Sequence, residues 1–130
     1  MIADREVCFG SMTTQQLKQR TFQFGVRVAS AVEALPKPDT ARILGRQLLR
    51  AGTSVGANYR AAARARSRAD FVAKLGVVEE ECDESSYWME MIIARKLLKK
   101  DRLNTLLTEA NELLAITVSS IKTARCRRRA

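Results

Sequence analysis

The sequence predicts an all-α protein, an antiparallel up-down four-helix bundle. Apolar residues recur every three or four positions through four segments of similar length, and no segment alternates apolar and polar residues as a strand would. Short links join the segments, which favours antiparallel neighbours. The 130 residues, 46% of them hydrophobic, suit one domain with a single core. We expect a flexible leader at 1–12, the bundle at 13–124 and a basic tail at 125–130.

The first helix is expected to begin at Thr13 or Thr14, whose hydroxyl can cap it. The segment "PKPD" ends this helix, because proline lacks an amide donor and disfavours the helical state of the residue before it. Asp39 or Thr40 can then cap a second helix, which runs to about Ala65.

The third helix follows Ser67, and Asp70 occupies the position where a capping box prefers Glu or Gln. The apolar pattern breaks at Lys100 or Asp101. A fourth helix is expected over 102–124.

Composition excludes several functional classes. The chain has no histidine, so a Ser-His-Asp triad and the Glu-x-x-His motif of di-iron bundles are absent. Cys8, Cys82 and Cys126 are odd in number and widely spaced, which suits reduced thiols in a cytoplasm better than disulfides or a zinc site. No apolar run is long enough to cross a membrane. We predict a cytoplasmic protein that is not an enzyme and carries no metal or cofactor.

The stretch "RAGTSVGANYRAAARARSRADF" combines closely spaced glycines with many arginines. Gly52 and Gly56 enclose three residues, whereas a phosphate-binding loop needs four, followed by Lys and Ser or Thr. The arginines interrupt any membrane-packing helix. With Gly45, these glycines form one helical strip, which predicts the close approach of another helix backbone.

Helix two also predicts an arginine face on a chain of net charge +9. At about 100° per residue, its arginines fall within an arc of roughly 80°. No acidic residue lies between Arg42 and Arg68, and arginine forks onto phosphates better than lysine does. The face is either simply solvated or a nucleic-acid site. The candidate binding residues are Arg42, Arg46, Arg50, Arg60, Arg64, Arg66 and Arg68.

Helix three carries the opposite charge in "EEECDE". The core strip of this helix contains Phe71, Leu75, Cys82 and Met89. Glu79 and Asp83 flank the strip, and we expect them to pair with arginines of helix two at an interface. The alternative is a carboxylate-only metal site at Glu80 and Glu84.

An exposed aromatic cluster is predicted near the end of helix three. Tyr87, Trp88 and Met91 lie opposite the core strip that Ile93 and Leu97 continue. Such clusters are enriched at protein interfaces, so we predict oligomerisation through this face. The alternative is that helix four or the leader covers it.

Two blocks, "LPKPDTARILGRQLLRAGTSVGANYRAA" and "SRADFVAKLGVVEEECDESSYWMEM", resemble a bacterial family of four-helix bundles encoded by intervening sequences within 23S rRNA genes. The resemblance spans about 17–121. It implies a ring-like homopentamer with a basic surface and no known catalysis. The accessory variability protein of diversity-generating retroelements looks like a relative, which implies a reverse transcriptase as a further partner. The matching positions are Arg50, Asn58, Tyr59, Arg60, Asp70, Phe71, Glu79, Glu81 and Glu84.

We therefore expect a noncatalytic homo-oligomer, with a pentamer favoured, that binds RNA or DNA through its arginine face. The genomic setting of the family favours RNA. Five copies of the face would hold phosphates without reading bases, because Tyr59 is the only aromatic residue between Arg42 and Arg68. The alternative is an interaction scaffold whose arginines pair with carboxylates of a neighbouring subunit.

Overall fold

The all-α prediction is confirmed by a computed structural model, which describes residues 12–129 and the side chains of 12–126. The helices are α1 (Thr14–Glu33), α2 (Asp39–Ala63), α3 (Arg68–Ala94) and α4 (Lys100–Arg129). The leader expected at 1–12, with Cys8, lies outside the described residues apart from Met12.

The four helices pack as an up-down bundle. α1 packs on α2, α2 on α3 and α3 on α4, while α1 and α4 touch less extensively and close the ring. Apolar residues from all four helices fill one main core. Its largest fully buried side chains include Phe24, Leu48, Met89, Leu103 and Leu113.

Two of the predicted helix starts are confirmed. The Thr13 hydroxyl accepts from the Gln16 amide at 3.1 Å, and the Gln16 side chain accepts from the Thr13 amide at 2.8 Å, which completes a capping box. The Ser67 hydroxyl accepts from the Asp70 amide at 3.0 Å. The Asp70 carboxylate binds Lys74 at 2.7 Å, one turn further along α3.

The start of α2 corrects the prediction of a cap at Asp39 or Thr40. Both residues already belong to the helix, and Pro38 occupies the capping position without a side-chain hydrogen bond. Proline has no backbone N–H that would need a hydrogen-bond partner at the start of the helix. The extended backbone of Pro38 leads directly into α2. Asp39 instead pairs with Arg42 at 3.1 Å.

The ends of α2 and α4 also differ from prediction. α2 ends at Ala63, two residues before the expected Ala65. α4 begins at Lys100 and continues through Arg129, so the helix extends beyond the expected end at 124. Arginine is a good helix former and no glycine or proline interrupts this segment, so nothing local stops the helix at 124.

The glycine strip of α2 does allow close approach of α1, as the sequence predicts. A Cβ at Gly56 would lie 3.1 Å from the backbone oxygen of Thr21 and 3.3 Å from the backbone nitrogen of Phe22. On the other helix, a Cβ at Gly25 would lie 3.5 Å from the Cα of Thr53. The two backbones are therefore in near contact, and a groove lies between α1 and α2.

Candidate nucleic-acid interface

The predicted arginine face does not form one continuous surface. Arg42 and Arg46 lie near the start of α2, and Arg60 lies near its end. Arg46 and Arg60 are 14 positions apart, which corresponds to about 21 Å along the helix axis. Arg64 and Arg66 belong to the α2–α3 link, and Arg68 is the first residue of α3.

Arg50, in the middle of this surface, is paired with carboxylates of its own chain. Its Nη1 lies 3.4 Å from Glu81 Oε2, and its Nη2 donates to Glu84 Oε1. The hydrogen bond to Glu84 raises the pKa of the Arg50 guanidinium. Arg50 therefore separates two groups of arginines.

The carboxylates that meet α2 are not those expected from the sequence. Glu79 is half-buried and Asp83 is exposed, and neither forms an ion pair within 12–126. Val78 and Cys82 of α3 point into the core, which turns Glu81 and Glu84 toward α2. The predicted interface role of Glu79 and Asp83 stays a prediction. The alternative metal site would use Glu80 and Glu84, but the Glu84 carboxylate already forms an ion pair with Arg50.

The C-terminal end of α2 contributes to a surface on which several basic residues lie close together. There the end of α2, the start of α3 and the end of α4 share a small second core containing Ala62, Phe71, Leu75 and Ile121. We call the cations around this core the basic end. Its members are Arg64, Arg66, Arg68, Lys122 and Arg125.

The basic end is largely solvated and unneutralised. Arg68 is half-buried and its other four members are exposed. Within the described side chains, none of the five forms an ion pair. The candidate binding residues expected from the sequence did not include Lys122 or Arg125, although Arg125 belongs to the predicted basic tail and no acidic residue follows Glu112.

The aromatic residue of α2 does not reach the surface beside its arginines. Tyr59 is only 4% exposed, and burial raises the pKa of its hydroxyl to about 12. Phe22 of α1 is 63% exposed, across the close contact at Gly56. Phe22 is not one of the buried residues of α1, and only the packing of α1 on α2 places it in the same groove as Arg60.

The expected exposed cluster on α3 is reduced to one residue. Tyr87 is 52% exposed, whereas Trp88 and Met91 are half-buried. Trp88 packs against the main core, contacts the Tyr87 ring edge-to-face at 5.0 Å, and donates from Nε1 to Glu84 at 3.3 Å. The expectation that all three are exposed is wrong, because Trp88 lies over its own bundle. Their role in oligomerisation stays a prediction.

Within 12–129, no three cysteine or carboxylate side chains come together as metal ligands would. No helix in that range is both long enough and apolar enough to cross a bilayer.

Comparisons with known proteins give one family. Residues 13–119 match the sequence profile of the family described as 23S rRNA-intervening sequence protein. A crystal structure of a protein of unknown function from the S23 ribosomal protein family of Bacteroides thetaiotaomicron VPI-5482 is similar, with 32% identity and a TM-score of 0.76. The alignment covers 82% of this chain and 98% of that one. Comparison with curated proteins gives no match. The chain belongs to the 23S rRNA-intervening sequence protein family.

Proposed function

We propose that this protein is a noncatalytic homo-oligomer that binds nucleic acid, RNA in preference to DNA, by holding phosphates at its basic end. One observation carries the proposal. Cations from the α2–α3 link, the start of α3 and the end of α4 surround one small core, and none is paired with a carboxylate among the described side chains.

Such a surface suits phosphates for two physical reasons. Arginine presents a fork of donors that matches two phosphate oxygens, and most members of the basic end are arginines. Each phosphate that is neutralised also releases condensed counterions. About five contacts to a single strand would make log K fall with log salt at a slope of roughly −3.5.

The family to which the chain belongs favours RNA as the ligand, because the family is described as 23S rRNA-intervening sequence protein. Phosphate contacts do not by themselves distinguish RNA from DNA. A cyclic homo-oligomer, with a pentamer favoured, would present several basic ends to one strand and raise its apparent affinity.

A scaffold function is the second candidate, and Arg50 favours it. This arginine is bound by Glu81 and Glu84, so an α2 arginine already pairs with α3 carboxylates inside one chain. Exposed Arg46 and Asp83 could form a similar pair between two copies.

The test is size exclusion with light scattering, run with and without a short RNA at two salt concentrations. The wild type is expected to be an oligomer that shifts with RNA at low salt and releases it at high salt. A variant with Arg64, Arg66 and Arg125 changed to Glu should lose the RNA shift and keep its oligomeric mass.

The matched control changes Arg95, Lys99 and Arg102 to Glu. These exposed residues lie around the α3–α4 link, at the opposite end of the bundle, and the change in net charge is the same. Retained RNA binding in the control is expected. Equal losses in both variants would show a response to net charge alone, and an oligomer indifferent to RNA would favour the scaffold. A monomer would contradict the oligomeric part of the proposal.

A further inference from the structure

Phe22 has the largest exposed fraction among the exposed large apolar side chains of the described residues. An isolated exposed apolar residue is ordinary. Phe22, however, lines a groove between α1 and α2, with Val26, 44% exposed, one turn further along α1. The packing of the two helices thus presents an aromatic ring at the edge of a concave surface.

Small residues keep this groove open. Gly25 and Ala29 of α1 and Gly56 and Ala57 of α2 line it, so no large side chain from α2 covers Phe22. The groove has a volume of about 760 Å³. This lies within the range of small-ligand sites, roughly 300–1,000 Å³, and leaves room for a nucleotide.

The polar lining of the groove is cationic and amidic. Lys18 and Arg60 supply positive charge, and three glutamine side chains of α1 supply amides, while no Asp or Glu lines the groove. Lys18 is half-buried, and Arg60 is exposed with no ion pair within the described side chains. The groove is therefore complementary to an anionic ligand that also carries an apolar face.

The helix register places the two cations at one end of the groove. Gly25 lies against Thr53, and Gly56 lies against Thr21, so α1 numbers rise as α2 numbers fall. Extending this register by one turn brings Lys18 opposite Arg60. Arg64 of the basic end follows four residues after Arg60, where α2 ends and the α2–α3 link begins.

We propose that the α1–α2 groove binds an unpaired base of an RNA strand whose phosphates continue along Arg60 to the basic end. This inference rests on the proposed function. Phe22 stacks on the base, Lys18 and Arg60 hold the flanking phosphates, and the glutamine amides reach the base edges. A single strand fits better than a duplex, because base faces inside a duplex are already stacked and out of reach.

The experiment measures dissociation constants by fluorescence anisotropy for a labelled 12-nucleotide RNA, as a single strand and as a duplex, over a salt series. Replacing Phe22 with Ala or with Leu is expected to weaken single-strand binding by roughly 5- to 100-fold. The salt slope should not change, since no charge is removed. Phe22→Tyr keeps an aromatic face and should bind within about twofold of the wild type. Arg60→Gln should instead reduce the slope by about 0.7.

Ile43→Ala is the matched control, because Ile43 is 57% exposed on α2 but does not line the groove. It is expected to leave both affinities unchanged. The proposal is overturned if Phe22→Ala binds the single strand as tightly as Ile43→Ala does, or if Phe22→Ala weakens single-strand and duplex binding equally. It is also overturned if Phe22→Leu binds the single strand as tightly as the wild type. Loss of oligomeric mass in Phe22→Ala by light scattering would show that the groove is a contact between copies and would also overturn it.

The two proposals fail in different ways. If the basic-end triple variant loses RNA while Phe22→Ala keeps it, the groove assignment falls and the proposed function stands. If the wild-type protein binds neither RNA, the proposed function falls as well. Far-UV circular dichroism checks that each variant is folded, which is expected for Phe22 because most of its side chain is already solvated.

Discussion

Arg20 of α1 forms a two-pronged ion pair with Glu109 of α4. Its Nε donates to Glu109 Oε2 at 2.8 Å, and its Nη2 donates to Glu109 Oε1 at 2.6 Å. The same Nη2 reaches Glu112 at 2.9 Å, and Arg27 donates to the Thr105 hydroxyl at 3.1 Å. Of the neighbouring helix pairs, α1 and α4 have the least extensive contact. These polar contacts therefore form an important part of the α1–α4 seam, by which we mean the contact between these two helices.

The Arg20–Glu109 pair should contribute measurably to stability. The Glu109 side chain is only 14% exposed and the geometry is bidentate, so a double-mutant cycle with Arg20→Ala and Glu109→Ala is expected to give a coupling of about 1–2 kcal/mol. Urea unfolding measures it. The control cycle uses Lys74 and Asp70, a pair 39% exposed on both sides, for which a clearly smaller coupling is expected because water screens both charges. Equal couplings would contradict a special role for the seam.

Acid should weaken the same pair. The hydrogen bond from Arg20 holds the pKa of Glu109 below its ordinary value of 4.5. On acidification, Glu109 therefore takes up its proton in the unfolded chain before it does so in the folded protein. The stabilisation from the ion pair is full above the ordinary pKa of Glu109, and it is lost as pH falls through the lower pKa of the folded protein. Between about pH 6 and pH 3, the free energy of unfolding should fall less for Glu109→Gln than for the wild type. Glu90→Gln, at an exposed position without an ion pair in 12–126, should follow the wild type. A Glu109→Gln profile parallel to the wild type would refute this assignment.

Two glycine-to-alanine substitutions should act in opposite directions. A Cβ at Gly52 would lie 2.7 Å from both Cγ atoms of fully buried Val28, whose branched side chain has little rotamer freedom in a helix. Gly52→Ala should therefore destabilise by about 1–2 kcal/mol despite its better helix propensity. At Gly76 the added Cβ would meet no atom within 4 Å beyond the adjacent residues and backbone of its own helix, so Gly76→Ala should stabilise by up to about 1 kcal/mol. Thermal or urea unfolding distinguishes them, and a stabilising Gly52→Ala would show that Val28 repacks freely.

The two described thiols should differ in reactivity. Cys82 is fully buried, and burial, followed by neighbouring carboxylates, raises the pKa of its thiol to about 12. Cys126 is exposed on α4. Iodoacetamide at neutral pH should label Cys126 in the folded protein and Cys82 only after unfolding, as read by peptide mass spectrometry. A Cys126→Ser variant checks the site, and rapid labelling of Cys82 in the native protein would mean that the core opens easily.

Several features were predictable because they depend on spacing along one helix. The four helices follow from apolar periodicity, and the close approach at Gly56 follows from a strip of missing side chains. The cap at Ser67 is equally local. The boundary of α4 was missed because favourable helix propensity beyond 124 carries no stop signal.

The pairing of charges was not predictable in the same way. The periodicity of α3 places Glu79 and Glu81 on either side of the core strip with nothing to show which flank meets α2. Only the packing of α3 decides that Glu81 and Glu84 receive Arg50. Similarly, Phe22 is distant in sequence from Arg60 and reaches the same groove only because α1 lies against the glycines of α2.

By itself, the sequence determined the helical class, the excess of positive charge and the absence of histidine chemistry, since each is a property of residue type and local spacing. The tertiary structure alone decided which charges remain unpaired and which side chains share a surface. It paired Arg50 with carboxylates, brought Lys122 and Arg125 to the α2–α3 link, and placed an exposed Phe22 in the same groove as Arg60. The physical reason is that helix packing sets rotation and register between segments, and a few ångströms of register determine which charged and apolar groups meet.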